Sequence, residues 1–68
     1  MRYVNHKLNL NKATLQQLSL LPGIGAIIAN RIIEYRQRYG PFLNVEDLIL
    51  KVGLRQRMVD KLIDWLEV

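Results

Sequence analysis

The chain has no cysteine and a single histidine, His6. No disulfide can staple it, no thiol is available as nucleophile or metal ligand, and one histidine in a polar N-terminal segment reads as a surface residue. Paired carboxylates are missing too. The six acidic residues are scattered, and Asp60 and Asp64, an i, i+4 pair with Lys61 between them, read as a solvated helix face. The usual catalytic constellations are therefore absent, so an enzyme is the class least expected, with no metal and no cofactor implied. Long apolar runs are lacking as well. None approaches the roughly 18 to 20 residues that cross a bilayer, and the N-terminus has no basic-then-apolar leader layout. The expectation is a soluble chain, cytoplasmic if complete and extracytoplasmic if cut from a longer exported or tethered protein.

What the chain does have is apolar side chains, half of its 68 residues. A chain of this length buries only roughly 60% of its unfolded surface, so these residues must converge on one small core. The formal net charge is +4 and is unevenly placed. Residues 1–40 carry six basic side chains against one acidic (net +5), whereas residues 41–68 carry four against five (net −1). A modest basic excess of this kind suits a polyanion without identifying one.

The stretch Leu20-Leu21-Pro22-Gly23-Ile24-Gly25-Ala26 is the centre of the pattern. An apolar run, a Pro-Gly pair, a second glycine and a further run with helical spacing read as two helices joined by a very short turn. Gly23 and Gly25 permit positive φ or a close backbone approach, and the turn opens into a helix N-terminus. Unpaired N–H groups and the positive end of the helix dipole there suit an oxyanion such as a phosphate. The same glycines would serve equally in a purely structural connection.

In chain order, residues 1–10 read as a short extended lead-in. Thr14 with Gln17 three residues later is a capping box, which starts a helix over about Leu15–Leu20 with Leu15, Leu18 and Leu21 close to one face. A longer helix is expected over Ala26–Tyr39, with Ile28, Ala29, Ile32, Ile33 and Arg36 as its stripe and Gly40-Pro41 as its stop, glycine taking the left-handed position. Tyr35 and Tyr39, at i and i+4, read as core in preference to base-stacking residues. Asn44 caps a third helix, with Asp47 in its first turn and Val45, Leu48 and Ile49 on its apolar face.

A shift of 30 residues then superposes the chain on itself. Thr14 falls on Asn44, Leu18 on Leu48, Gly23 on Gly53, Ile24 on Leu54, Ala29 on Val59, Ile32 on Leu62, Ile33 on Ile63 and Tyr35 on Trp65. In the second copy Pro22 becomes Val52 and Gly25 becomes Arg55. Three basic side chains, Lys51, Arg55 and Arg57, flank this second turn, either as solvated charges or as a phosphate contact made by different means.

Leu-Pro-Gly-Ile-Gly in the first unit and Tyr-Arg…Tyr-Gly-Pro-Phe between the units resemble the tandem helix-hairpin-helix domain of the ComEA family. The segment Leu8–Thr14 is similar to that family's opening segment and Phe42–Leu48 to its inter-hairpin segment, so the resemblance covers roughly residues 8–66. It implies sequence-independent binding of double-stranded DNA across the minor groove, within competence-type DNA uptake by a tethered protein. Carried over, it points to Gly23, Ile24, Gly25 and Ala26 in the first turn and Gly53, Leu54 and Arg55 in the second. The family often has a lysine early in the helix after the first turn, where this chain has Ala26-Ile27-Ile28. Tandem hairpins also resemble the extrinsic photosystem subunit PsbU, where the fold serves protein assembly.

The expected fold is all-α and SAM-like, two hairpins (about 14–39 and 44–66) packed about a pseudo-two-fold axis with negligible sheet, and residues 1–7 outside the domain. Leu18, Leu21, Ile32, Ile33, Leu48, Leu54, Leu62, Ile63 and Trp65 would fill its centre beside Ala29 and Val59. Both turns would lie on one side. Backbone N–H groups would then grip DNA phosphates without reading sequence, helped by Arg55, Arg57 and Lys51 and next by Arg31. The alternative is a protein-assembly module, motivated by Ile27 off the core stripe.

Overall fold

Thr14 sets where the first helix begins. In a computed structural model describing residues 7–68, its hydroxyl oxygen accepts from the Gln17 N–H at 3.1 Å, and the Gln17 side chain accepts from the Thr14 N–H at 3.0 Å. This reciprocal cap opens α1 (Leu15–Ser19). Residues 1–6 of the expected lead-in, His6 among them, lie outside the described residues. After the Pro-Gly turn, α2 runs over Gly25–Tyr39. A single π-helical turn over Leu48–Val52 and α3 (Gln56–Leu62) form the second half. No described helix is long and apolar enough to cross a membrane.

The 30-residue repeat is visible in burial. Leu18 and Leu48, Ile24 and Leu54, Ala29 and Val59, and Ile32 and Leu62 are buried pair by pair. It is visible in capping as well, since Asn44 Oδ1 accepts from the Asp47 N–H at 3.0 Å, as Thr14 does from Gln17. The chain is mostly helical, as expected.

Three expectations change. The third segment is not a regular α-helix: i→i+3 bonds, from the N–H groups of Asp47, Leu48 and Ile49 to Asn44, Val45 and Glu46, lead into the wider π turn. The Leu48 carbonyl then accepts from both the Gly53 and Leu54 N–H groups, at 3.0 and 3.1 Å. The difference from the first copy has a local cause. Pro22 has no N–H and disfavours helical backbone before it, so α1 stops at Ser19, whereas Val52 lets the winding continue up to Gly53.

Sheet is negligible, as expected, and among the described residues is confined to one pair of two-residue strands. β1 (Leu8–Asn9) pairs in parallel with β2 (Leu66–Glu67), Leu8 opposite Leu66 and Asn9 opposite Glu67. Second, this pairing corrects the core. α3 ends at Leu62 and the chain turns extended, so Leu66 is buried while Trp65 and Ile63 are exposed. The repeat register assumed that the helix continued to residue 65. Ile33 is only half-buried, and Leu15, at the first position of α1, is exposed. Leu10, Ala13, Phe42 and Val45 complete the core instead. Third, Gly40 does carry positive φ (104°), but with ψ at −178°, so it leaves α2 extended and not left-handed helical.

Two long-range polar clasps fix the N-terminal segment. Asn11 Oδ1 accepts from the Phe42 N–H at 2.6 Å and Asn11 Nδ2 donates to the Phe42 carbonyl at 3.0 Å. Arg36, on the inward stripe of α2, donates from Nη1 to the Leu10 carbonyl at 3.0 Å.

Candidate nucleic-acid interface

The first turn is built around a buried plug. Ile24 is buried in αR conformation, and its N–H donates to the Leu21 carbonyl at 3.1 Å. Gly23, Gly25 and Ala26 on either side are exposed. With the isoleucine held inward, the turn presents backbone outward. Ile24 was expected as a contact residue from the resemblance; its side chain is an anchor, leaving only its backbone for any contact.

Gly25 has φ +67° and would find no atom within 4 Å of an added Cβ. The glycine is therefore required for its backbone angle and not for space inside the protein. α2 starts here with no side-chain cap and no acidic residue in its first turn. That contrasts with α1, whose end is closed by its own Thr14 and Gln17. The first N–H groups of α2, with the helix dipole behind them, are thus suited to an external oxyanion.

The second turn repeats the plan with different chemistry. Gly53 is left-handed (φ 92°, ψ 21°), and Leu54 is buried in the place of Ile24. Arg55 replaces Gly25 and is extended (φ −78°, ψ 151°), so this copy needs no second glycine. Arg55 precedes α3, which also lacks a side-chain cap, and the Arg55 carbonyl accepts from the Met58 and Val59 N–H groups. Lys51, Arg55 and Arg57 are all exposed, as is Arg31 on α2.

Met58 was missed by sequence reasoning. Its Cε lies 3.5 Å from the position of a Cβ on Gly23, so α3 packs directly against the first turn. The contact brings the glycine turn against the helix that Arg55 introduces. Nothing local to Met58 signals this; only its half-buried position in the second copy does. Among the described residues no group of three or more His, Asp or Glu side chains is placed to hold a metal ion.

Two short turns of this form, each between helices and each plugged by one apolar side chain, define a helical-hairpin module. The chain matches the helix-hairpin-helix motif over residues 4–67 and belongs to that family, whose motif is generally associated with nucleic-acid binding. It is 38% identical over 56 residues to endonuclease/exonuclease/phosphatase family domain-containing protein 1 of Mus musculus, covering 82% of this chain and 10% of that protein. An uncharacterized protein of Haemophilus influenzae is 39% identical over 59 residues, covering 85% and 53%. PolC-type DNA polymerase III of Staphylococcus epidermidis is 50% identical over 42 residues, covering 62% and 3%. The chain thus spans about a tenth of the mouse protein's length and about half of the Haemophilus one.

Proposed function

We propose that this chain is a non-sequence-specific DNA-binding module whose two hairpin turns hold the phosphates of double-stranded DNA across the minor groove. The observation that carries the reading is the exposed, uncapped start of α2 at Gly25, turned outward by the buried Ile24. Backbone N–H donors carry no base information, so they position a duplex without selecting its sequence. Lys51, Arg55 and Arg57 at the second turn, and Arg31 along α2, add charge that backbone donors lack. Membership of the helix-hairpin-helix family supports the ligand class. The ComEA resemblance of Leu21–Gly25 and Phe42–Leu48 supports DNA uptake as the setting.

The test is titration of a labelled duplex of about 20 base pairs, followed by fluorescence anisotropy at several salt concentrations. With about four to six phosphates neutralised, the log–log salt slope should be about −4 to −5, equal for unrelated sequences. Absence of binding at about 20 mM salt would overturn the reading.

A second reading, a protein-assembly module that has kept the fold, is favoured by Ile27. It is 73% exposed in the first turn of α2, where a basic residue would serve a phosphate contact. Ile27→Lys separates the two. If the chain grips DNA, the substitution should tighten duplex binding several-fold and steepen the salt slope by about 1. If it is an assembly surface, duplex binding stays absent and a protein complex is lost.

A further inference from the structure

Tyr35 and Tyr39 read as core in the sequence, and the structure separates them. Tyr35 is half-buried against the core, whereas Tyr39 is 68% exposed. Together with Phe42 they form a run of rings leading from the interior to the surface. The Phe42 and Tyr35 centroids are 4.7 Å apart, and those of Tyr35 and Tyr39 are 5.1 Å apart. Both distances lie within the usual range for paired rings. Among the described residues the run ends at Tyr39, which has one ring neighbour where Tyr35 has two.

That outer ring lines a cleft of about 510 Å³ between the C-terminal half of α2 and the end of the π turn. Arg31, Arg38 and Lys51 line it with one carboxylate, Glu34, leaving three positive charges against one negative. Among the described residues, Arg36 is the one arginine whose guanidinium makes a hydrogen bond within the chain. Arg31 and Arg38 are exposed, and among the described residues neither guanidinium makes a hydrogen bond.

We propose that this cleft binds an unpaired stretch of single-stranded nucleic acid, one base stacked on Tyr39 and the flanking phosphates held by Arg31, Arg38 and Lys51. An open aromatic face beside several cations is the chemistry that holds single strands, because every base offers a π-face and every linkage a negative charge. An acidic peptide would satisfy the cations but would leave the outermost ring of this tilted run without a planar partner. The site is distinct from the first turn. Tyr39 is fourteen residues beyond Gly25 on α2, about 21 Å along the axis at about 1.5 Å per residue. The inference shares with the duplex reading the class of ligand and the cations Arg31 and Lys51, so it is tested with a different substrate and with variants at Tyr39 and Arg38, which the duplex reading does not use.

The experiment measures binding of a labelled oligomer of about 15 thymidines to the whole chain at low salt, by anisotropy. Tyr39→Ala should weaken it about tenfold and Arg38→Ala several-fold, while Tyr39→Phe, which keeps the stacking face, should stay within about twofold of the parent. Duplex affinity should not change with Tyr39→Ala. An oligomer carrying 5-iodouracil should photocrosslink to Tyr39, a readout that does not depend on any variant folding. The proposal is overturned if the oligomer does not bind, if Tyr39→Ala binds it like the parent, if the crosslink maps elsewhere, or if polyglutamate of equal charge displaces it as well as unlabelled oligomer does.

Discussion

Leu48→Ala is expected to destabilise the chain by about 2–5 kcal/mol, the range for leucine truncation at a buried site that cannot collapse. Leu48 has no exposed surface and stands at the start of the π turn, where its carbonyl accepts two N–H groups. The backbone around it is thus pinned and poorly able to fill the space left behind. A chain of this size has a total stability of roughly 3–10 kcal/mol, so the loss is a large part of the whole. In a thermal melt followed by circular dichroism, the midpoint should fall by about 10 °C or more. Leu50 is the internal comparison. It is two residues away and 83% exposed, and Leu50→Ala should change stability by no more than about 0.5 kcal/mol. Equal melting of the two variants would contradict the packing around the second hairpin.

Arg55→Ala combined with Arg57→Ala should weaken duplex binding by about 10- to 100-fold at low salt and make the salt slope shallower by about 2. The reason lies in the substitution of arginine for the second glycine. At the first turn, Gly25 holds φ +67° and backbone donors face outward; at the second, Arg55 is extended and brings a long cation in place of that geometry. Both arginines are exposed, so their removal disturbs no packing, and the melt should be nearly unchanged. Unchanged duplex affinity in the arginine variant would remove the second turn from the interface.

Much of this was legible in the residues because it is local. Thr14 with Gln17, and Asn44 with Asp47, form cap bonds across three residues. A cap needs only the right side chain at the right spacing. The glycine turns follow the same logic, since positive φ at Gly23, Gly25 and Gly53 is a property of the residue before it is a property of the fold. The 30-residue repeat then paired positions of the expected core, and Leu18 with Leu48, Ala29 with Val59 and Ile32 with Leu62 are buried together. Where the copies diverge locally, the prediction failed. Val52 in place of Pro22 extended the winding into a π turn. The early end of α3 put Leu66 inside and Trp65 outside.

The sequence by itself determined the helical class, the two turns, the caps at Thr14 and Asn44 and most of the core. Only the tertiary structure decided which distant segments meet. The Asn11 clasp on Phe42 spans 31 residues and the Arg36 bond to Leu10 spans 26. The pairing of Leu8 with Leu66, the Met58 contact on Gly23 and the tyrosine cleft facing Lys51 are of the same kind. The physical reason is that periodicity, capping and glycine φ act within about one helical turn, whereas these contacts exist only once the core has fixed the two halves against each other.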